Sequence, residues 1–255
     1  MNSIKKGILG TALIFAVPFN IYSQTIFEDD FNGDSLDMNS WNYEEGDGCP
    51  NLCGWGNNER QNYDRNYVSL EDGNLVITAA KEGENYFSGR ITTKDKVEFQ
   101  YGEIEIRAKL PEGHGLWPAF WMLGTDIAEV GWPASGEIDI MEYVGREPNT
   151  LYTSLHYPAH HGGTATSKKS FLPNIEEGYH TYKARWTENE ISFFYDGKKV
   201  FTFIPEAYDD NHYPYRKPFY ILVNMAIGGN FGGPEVDDSI FPARYYIDYI
   251  KVTEL

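Results

Sequence analysis

Short runs of β-branched and aromatic residues alternate with polar residues along most of the chain, and Gly, Asn, Asp or Pro separates each run from the next. An alternation with a period of two predicts strands that present one face to a hydrophobic core. Two Asp-Gly dipeptides, at 72–73 and 196–197, are typical of hairpin turns. The clearest predicted strands are residues 74–80, 102–110, 136–144, 182–186, 191–194, 200–204, 219–226 and 245–252.

Helical periodicity is almost missing from the sequence. One helical turn at 205–208 is the only helix that the pattern predicts. Many strands without alternating helices indicate an all-β fold, an antiparallel β-sandwich or jelly roll. A length of 255 residues fits one large β domain, and no internal repeat marks a second one. We therefore expect one domain over 24–255, in a monomeric protein.

The N-terminus has the pattern of a secretory signal peptide over residues 1–23. Lys5 and Lys6 precede an apolar stretch at 8–17, and a Pro and the sequence I-Y-S follow it before Gln24. The apolar stretch is too short to span a bilayer, and no Cys follows it to carry a lipid. The sequence predicts a secreted protein, extracellular or periplasmic, that does not associate with a membrane.

The excess of acidic over basic residues disfavours negatively charged ligands. The chain has 38 acidic and 21 basic residues, a formal net charge of −17. An acidic surface repels nucleic acids, anionic membranes and sulfated polymers, so a neutral polymer is the better partner. The 19 Tyr, 15 Phe and 6 Trp residues supply flat rings for sugar stacking, although we expect the β-sandwich core to use more than half of them.

Two cysteines, Cys49 and Cys53, lie four positions apart in C-P-N-L-C. In an oxidising compartment they can form a local disulfide, and two free thiols are the alternative. A metal site on this pair is not expected, because no other Cys or His nearby completes a tetrahedral ligand set.

Three carboxylates, Glu137, Asp139 and Glu142, lie within six residues of a predicted strand, in G-E-I-D-I-M-E. Strict alternation would place Met141 rather than Glu142 beside the other two, so we predict a β-bulge that returns Glu142 to their face. The two Glu carboxyl groups could then approach to about 5 to 5.5 Å, the spacing of a retaining glycosidase. A solvated acidic strand face or a cation site is the alternative, and repulsion between like charges disfavours it.

A series of motifs in a fixed order resembles glycoside hydrolase family 16, and within it the bacterial laminarinases, which are endo-β-1,3-glucanases. The resemblance covers nearly all of 26–255 and implies a jelly roll with a concave substrate cleft. It also implies that Glu137 is the nucleophile, Glu142 the general acid/base and Asp139 their electrostatic helper, without a catalytic cofactor. The motifs are E-D-D-F-N-G, C-G-W-G-N-N-E, D-G-N-L-V-I-T-A, S-G-R-I-T-T-K, Y-G-E-I-E-I-R-A-K-L-P, G-L-W-P-A-F-W-M-L-G, V-G-W-P-A-S-G-E-I-D-I-M-E-Y-V-G, W-T-E-N-E-I-S-F-F-Y-D-G and N-M-A-I-G-G-N-F-G-G.

The same resemblance implies a set of substrate-binding residues. The alternative roles are core packing for Trp117 and Trp121, a turn position for Asn57, a countercharge to Glu137 for Arg90 and a structural role for His156. The third Trp, between Gly131 and Pro133, is expected in a loop as a platform for sugar. In that order the residues are Trp117, Trp121, Asn57, Arg90, His156 and Trp132.

A structural Ca²⁺ away from the catalytic residues is also implied by the resemblance. Its matching positions are Glu28, Gly73 and Asp248, whose carboxylate and carbonyl oxygens suit a hard cation. Such an ion would tie the two ends of the chain together.

The function expected from the resemblance is hydrolysis of a neutral, laminarin-like β-1,3-glucan. In that family the six-residue spacing E-x-D-x-x-E, which includes Met141 here, accompanies the bulged strand of laminarinases and agarases, so the resemblance favours a β-1,3-linked substrate over a mixed-linkage one. Mixed-linkage glucanase, galactan hydrolase and transglycosylase activities remain alternatives. A β-glucan-binding module without catalysis is the alternative from another class, and the three retained carboxylates disfavour it.

Overall fold

The computed structural model describes residues 23–255, so the predicted signal peptide, apart from Ser23, lies outside the described residues. This part of the chain forms strands and two four-residue α-helices, α1 (Ile127–Val130) and α2 (Gly229–Gly232). It also has short 3-10 helices at Cys53–Gly56, Arg65–Tyr67, Gly162–Thr164 and Asp238–Ile240. None of its helices has the length and hydropathy needed to cross a bilayer. The strands are β1 (Thr25–Asp29), β2 (Asn42–Tyr43), β3 (Gln61–Tyr63), β4 (Val68–Glu71), β5 (Asn74–Glu82), β6 (Asn85–Ser88), β7 (Arg90–Thr92), β8 (Gly102–Lys109), β9 (Leu116–Gly124), β10 (Glu137–Glu142), β11 (Thr150–His156), β12 (Thr166–Phe171), β13 (His180–Trp186), β14 (Ile191–Tyr195), β15 (Lys198–Phe203), β16 (Phe219–Ile227) and β17 (Ala243–Thr253).

The strands form two sheets, and nearly all neighbours are antiparallel. The first sheet has the order β15-β14-β13-β8-β17-β5-β6-β3, with β1 added to β17 and β4 to β5. The second sheet has the order β12-β11-β10-β9-β16-β7-β2. Only the short pair β3 and β6 is parallel among the described strands. The predicted antiparallel β-sandwich is confirmed.

The core lies between the two sheets and follows from the alternation of apolar residues. In β8 Ile104 and Ile106 are fully buried, whereas Glu105 between them is half-buried. Ile138 of β10 and Val223 of β16 belong to the same core cluster from the second sheet. Each such side chain stabilises the fold by about 1.5 to 3 kcal/mol through burial. The opposite face of the second sheet is thereby free to carry polar residues.

The predicted strands all occur, with ends that differ by a few residues, and both Asp-Gly turns are confirmed. Asp72 and Gly73 connect β4 to β5 with φ of 50° and 72°, the left-handed values of a hairpin turn. The predicted helix at 205–208 is wrong, because these residues form bends after β15. Tertiary contacts hold this segment instead: the Tyr208 hydroxyl donates to the Asn189 carbonyl oxygen.

Cys49 and Cys53 are joined in a disulfide, so the alternative of two free thiols is wrong. The bridged segment leads into Gly54 and Trp55, which both adopt positive φ, and it places Leu52 and Trp55 on the wall of a cleft over the second sheet.

Candidate active site

A β-bulge in β10 brings the three carboxylates to one face, as the sequence predicts. Asp139 pairs with Trp121 and Glu142 with Ala119, so three steps along β10 oppose two steps along β9. The same mismatch occurs against β11. Ile140 has no register partner in β9, whereas Met141 pairs with Phe120 and is fully buried in the core. The apolar side chain therefore stabilises the bulge from below while the acids face the cleft.

The strand register arranges the cleft residues in rows that cross the sheet. Glu137 lies between His156 of β11 and Leu123 of β9. Asp139 lies between Ser154 and Trp121. Polar groups therefore flank the acids on the β11 side, and aromatic and apolar groups flank them on the β9 side. The cleft has a volume of about 720 Å³ and includes all six predicted substrate-binding residues, Asn57, Arg90, Trp117, Trp121, Trp132 and His156.

Glu142 accepts a hydrogen bond on each carboxyl oxygen. Trp117 Nε1 donates to Oε1 at 3.1 Å, and Ser154 Oγ donates to Oε2 at 3.2 Å. The side chain is 8% exposed. Phe231 of α2 packs edge-on against Trp117, with ring centroids 5.3 Å apart, and so fixes the indole. Trp117 is thus a half-buried cleft residue and not only part of the core.

Glu137 is held by residues from a loop and from β11. Trp132, which is 46% exposed, donates from Nε1 to Glu137 Oε2 at 3.0 Å. His156 Nε2 lies 3.6 Å from Glu137 Oε1 and 3.2 Å from Asp139 Oδ2. The Gly162 amide donates to His156 Nδ1 at 3.0 Å. Because Nδ1 accepts this bond, Nε2 carries the proton of the neutral imidazole and directs it at the two carboxylates.

Burial raises the pKa of all three carboxyl groups. The pKa of Glu137 rises to about 8, first through desolvation and then through repulsion by Asp139. Desolvation also raises the pKa of Asp139 to about 8. The pKa of Glu142 rises to about 8 through desolvation and then repulsion by Asp139. The cluster therefore keeps most of its protons at neutral pH, and the fraction in which Glu137 is ionised beside a protonated Glu142 is the reactive form.

Arg90 occupies an aromatic cage on the β9 side of the cleft. Its guanidinium carbon lies 4.3 Å from the Trp55 ring centroid and 5.1 Å from that of Trp121. Its Nε forms an ion pair with Glu44. Arg90 is 8% exposed, so it both neutralises Glu44 and fixes two aromatic walls of the cleft. Arg90 is therefore a countercharge to Glu44 and not to Glu137.

A buried network that the sequence does not reveal supports the same wall. Trp121 Nε1 donates to Asn224 Oδ1 at 2.8 Å, and Asn224 Nδ2 donates to the Tyr63 hydroxyl at 2.9 Å. Tyr63 then donates to Glu59 at 3.1 Å. Asn57 Nδ2 also donates to Glu59, at 3.2 Å. Glu59 is thus the common acceptor that fixes two predicted substrate-binding residues. The motif G-W-G-N-N-E includes it, but only the folded chain brings Tyr63 and Asn224 to it.

The side of the cleft beyond β11 is formed by residues absent from the predicted set. Tyr152 packs edge-on against Phe231, with centroids 4.9 Å apart. Ser154 and Ser167 form a hydrogen-bonded pair, and all four residues line the cleft. Their strands pair directly, with Ser154 opposite Ser167. Strand alternation could have placed Tyr152 and Ser154 beside His156, had β11 been assigned from Thr150.

The three predicted calcium ligands lie in a different part of the fold from the cleft. Gly73 is in the β4–β5 turn. Asp248 Oδ2 accepts a hydrogen bond from Arg107 at 2.5 Å, and Glu28 Oε1 lies 3.3 Å from Lys251 Nζ. Both carboxylates therefore already have a cationic partner, and a bound cation would have to displace these partners. The residues fit a calcium site only in part.

A second set of possible ligand atoms lies within the cleft. Oxygens of Glu137 and Asp139 and a nitrogen of His156 lie within 4.8 Å of one another. The protonated Nε2 of His156 points at the carboxylates and offers them a proton rather than a lone pair to a metal ion. The arrangement suits hydrolysis by carboxyl groups alone.

Comparison with known proteins agrees with this site. The family model of glycosyl hydrolases family 16 matches residues 56–251. Glucan endo-1,3-beta-glucosidase A1 from Niallia circulans is 37% identical over 89% of this chain, which spans only 37% of that protein's length. A beta-glucanase from Rhodothermus marinus is 36% identical over 90% of this chain and 84% of its own length. The crystal structure of a laminarinase from Flavobacterium has 57% sequence identity and a TM-score of 0.89, and the match covers 91% of this chain and 100% of that one.

Proposed function

Because the chain belongs to glycosyl hydrolase family 16, we propose that it is a retaining endo-β-1,3-glucanase that cleaves laminarin-like β-glucans. The observation that carries the proposal is the bulge in β10, which puts Glu137, Asp139 and Glu142 on one face of the cleft. The similarity to a laminarinase structure along nearly the whole described chain supports the linkage.

In the first step Glu137, ionised, attacks the anomeric carbon of the sugar on its side of the scissile bond. The bond from that carbon to the glycosidic oxygen breaks, and its electron pair goes to the oxygen. Glu142 donates its proton to the departing oxygen. Trp132 and His156 direct N–H groups at Glu137, so they stabilise the ionised nucleophile before attack.

In the second step water attacks the same carbon and releases Glu137 as a carboxylate. Glu142, now ionised, takes a proton from the water, and the two displacements restore the original anomeric configuration. Asp139 stays between the two glutamates, and its repulsion favours the protonated form of Glu142, which is the acid of the first step.

Substrate binding is proposed to rely on rings and neutral hydrogen bonds. Trp121 and Trp55 form the wall beside Arg90 on the donor side, and Tyr152 and Phe231 form the acceptor side. Flat rings bind the apolar faces of sugar rings without requiring charge on the polymer. A neutral glucan is compatible with the net charge of −17.

Incubation of the purified protein with laminarin tests this function by release of reducing oligosaccharides. Glu137→Ser should abolish the release, whereas Glu71→Gln should retain it, because Glu71 is in β4 of the first sheet. Failure of the unmodified protein to release oligosaccharides would contradict the proposal, and binding without cleavage would instead indicate a glucan-binding module.

Mixed-linkage β-1,3-1,4-glucan is the second candidate substrate, because one of the reported relatives has the broader name beta-glucanase. Turnover on laminarin, barley glucan and agarose separates the candidates. Faster cleavage of barley glucan than of laminarin would assign the mixed-linkage activity.

We also propose that the protein is exported and that it binds a structural calcium ion. Export is supported by the signal-like pattern at 1–23 and by the disulfide between Cys49 and Cys53, since disulfides persist in oxidising compartments. N-terminal sequencing of protein recovered from culture medium or periplasm tests export, and a start at Gln24 is expected. For calcium, a chelator should lower the melting temperature, and Asp248→Asn should remove that response.

A further inference from the structure

Two serines form a hydrogen-bonded chain that leads from the surface to Glu142. Ser167 Oγ donates to Ser154 Oγ at 2.9 Å, and Ser154 Oγ donates to Glu142 Oε2 at 3.2 Å. Ser154 is 4% exposed, whereas Ser167 is exposed on β12, the edge strand of its sheet. Because Ser167 donates a hydrogen bond to the hydroxyl oxygen of Ser154, the hydroxyl hydrogen of Ser154 is free to point at Glu142.

The direction of this hydrogen bond matters because Glu142 must change its protonation state twice in each cycle. Trp117 already donates to Oε1, so an acidic proton on Glu142 belongs on Oε2, where the Ser154 hydrogen competes with it. Ser154 therefore opposes the acid form of Glu142 and stabilises the ionised form, which is the base of the second step.

No titratable group near Glu142 donates a hydrogen bond to its carboxyl group in the described part of the chain. Glu137 and Asp139 on its own strand repel the ionised form, and His156 of β11 attracts it without being hydrogen-bonded to it. The Tyr152 hydroxyl and Lys169 of β12 both bond to Glu147. On the other flank, β9 presents the uncharged Trp117, and Arg90 beyond it is paired with Glu44. Ser154 is therefore the one hydroxyl donor to Glu142 in the described part of the chain.

We propose that Ser154, oriented by Ser167, is a positioning residue that stabilises the charged form of Glu142 relative to the protonated form and so sets the pH at which the enzyme loses its catalytic acid. This inference rests on the proposed role of Glu142 as the general acid/base. It gives the serine pair a function in the second step, where the ionised Glu142 deprotonates water.

The test is the pH profile of kcat/KM on laminarin for Ser154→Ala, Ser154→Thr and the unmodified protein. Loss of a donor to the ionised carboxylate raises the pKa of Glu142, so the alkaline limb of Ser154→Ala should move to higher pH by about one unit. Ser154→Thr keeps the hydroxyl and should leave the limb in place. Ser167→Ala, an exposed change that spares the fold, should move the limb in the same direction by less.

Glu142→Ala separates failure of this inference from failure of the proposed function. If Glu142 is the acid/base, that variant should lose activity on laminarin and recover turnover of an activated aryl glucoside when azide is added. Retained laminarin cleavage by Glu142→Ala would overturn the role of Glu142 itself. If Glu142→Ala behaves as expected, an alkaline limb that stays fixed in both serine-to-alanine variants overturns the inference. A limb that moves equally in Ser154→Thr also overturns it, because packing would then be the cause.

Discussion

Replacing Glu137 with Gln should make the protein more stable at neutral pH even though it removes the proposed nucleophile. Burial and repulsion by Asp139 raise the pKa of Glu137 from its ordinary value of 4.5 to about 8 in the folded protein. An acid with a raised folded pKa costs no stability below its unfolded pKa, and the cost grows as the pH rises towards the folded pKa. The cost therefore develops between pH 4.5 and pH 8.

The size of the effect follows from the two pKa values. At pH 7 the unfolded carboxyl group is ionised and the folded one is mostly protonated, a difference of about 2.5 pH units or about 3 kcal/mol. This is an upper limit, because Gln loses the charge-assisted bond from Trp132. For a chain of this size about 3 kcal/mol corresponds to a rise in melting temperature of about 6 to 12 °C.

The assay is thermal or urea unfolding of both proteins from pH 4 to pH 8, with Glu71→Gln as the matched control. Glu71 is half-buried and pairs with Arg244 on the first sheet, so its replacement should not stabilise the protein. The gain for Glu137→Gln should vanish near pH 4 and grow with pH. A gain that is absent at pH 7, or equal at every pH, would refute the reasoning from burial and repulsion.

Two further variants test the residues that hold the cleft. Trp132→Phe removes the N–H donor to Glu137, so the pKa of Glu137 should rise and the acid limb of the pH profile of kcat/KM should move to higher pH. The value of kcat/KM at its optimum should fall by about 10-fold. An unmoved acid limb would contradict this role of Trp132. Glu59→Gln leaves a single acceptor oxygen for the donors around residue 59. Initial-rate kinetics should therefore show a rise in KM for laminarin of about 3- to 10-fold with little change in kcat. An unchanged KM would mean that Glu59 does not fix the wall of the cleft.

The strands and the bulge could be predicted because they depend on local pattern. Alternation identifies one face of each strand, and the parity conflict between Asp139 and Glu142 requires one extra residue. Ile140, which has no partner in β9, fulfils that requirement. The bends that replace the predicted helix at 205–208 were not predictable in this way, since contacts from distant residues decide the conformation of so short a segment.

The candidate site was predictable where a motif includes its residues and not where the fold joins distant segments. The six predicted substrate-binding residues line the cleft, and their position there could be predicted because each lies in a recognisable motif. The bond from Trp132 to Glu137 and the acceptor role of Glu59 depend on loop geometry and strand register, which sequence spacing does not define. The predicted calcium ligands show the opposite case: Glu28 and Asp248 follow from the family resemblance, yet their carboxylates have lysine and arginine partners in the fold.

The most direct measurement of the central claim is the anomeric configuration of the first products from laminarin, followed by proton NMR during the first minutes of hydrolysis. The proposed roles of Glu137 as nucleophile and Glu142 as acid/base predict double displacement, so the β-anomer should appear first and the α-anomer should grow only as the sugar mutarotates. Initial formation of the α-anomer would show a single displacement and would contradict the assignment of Glu137 as nucleophile and Glu142 as acid/base.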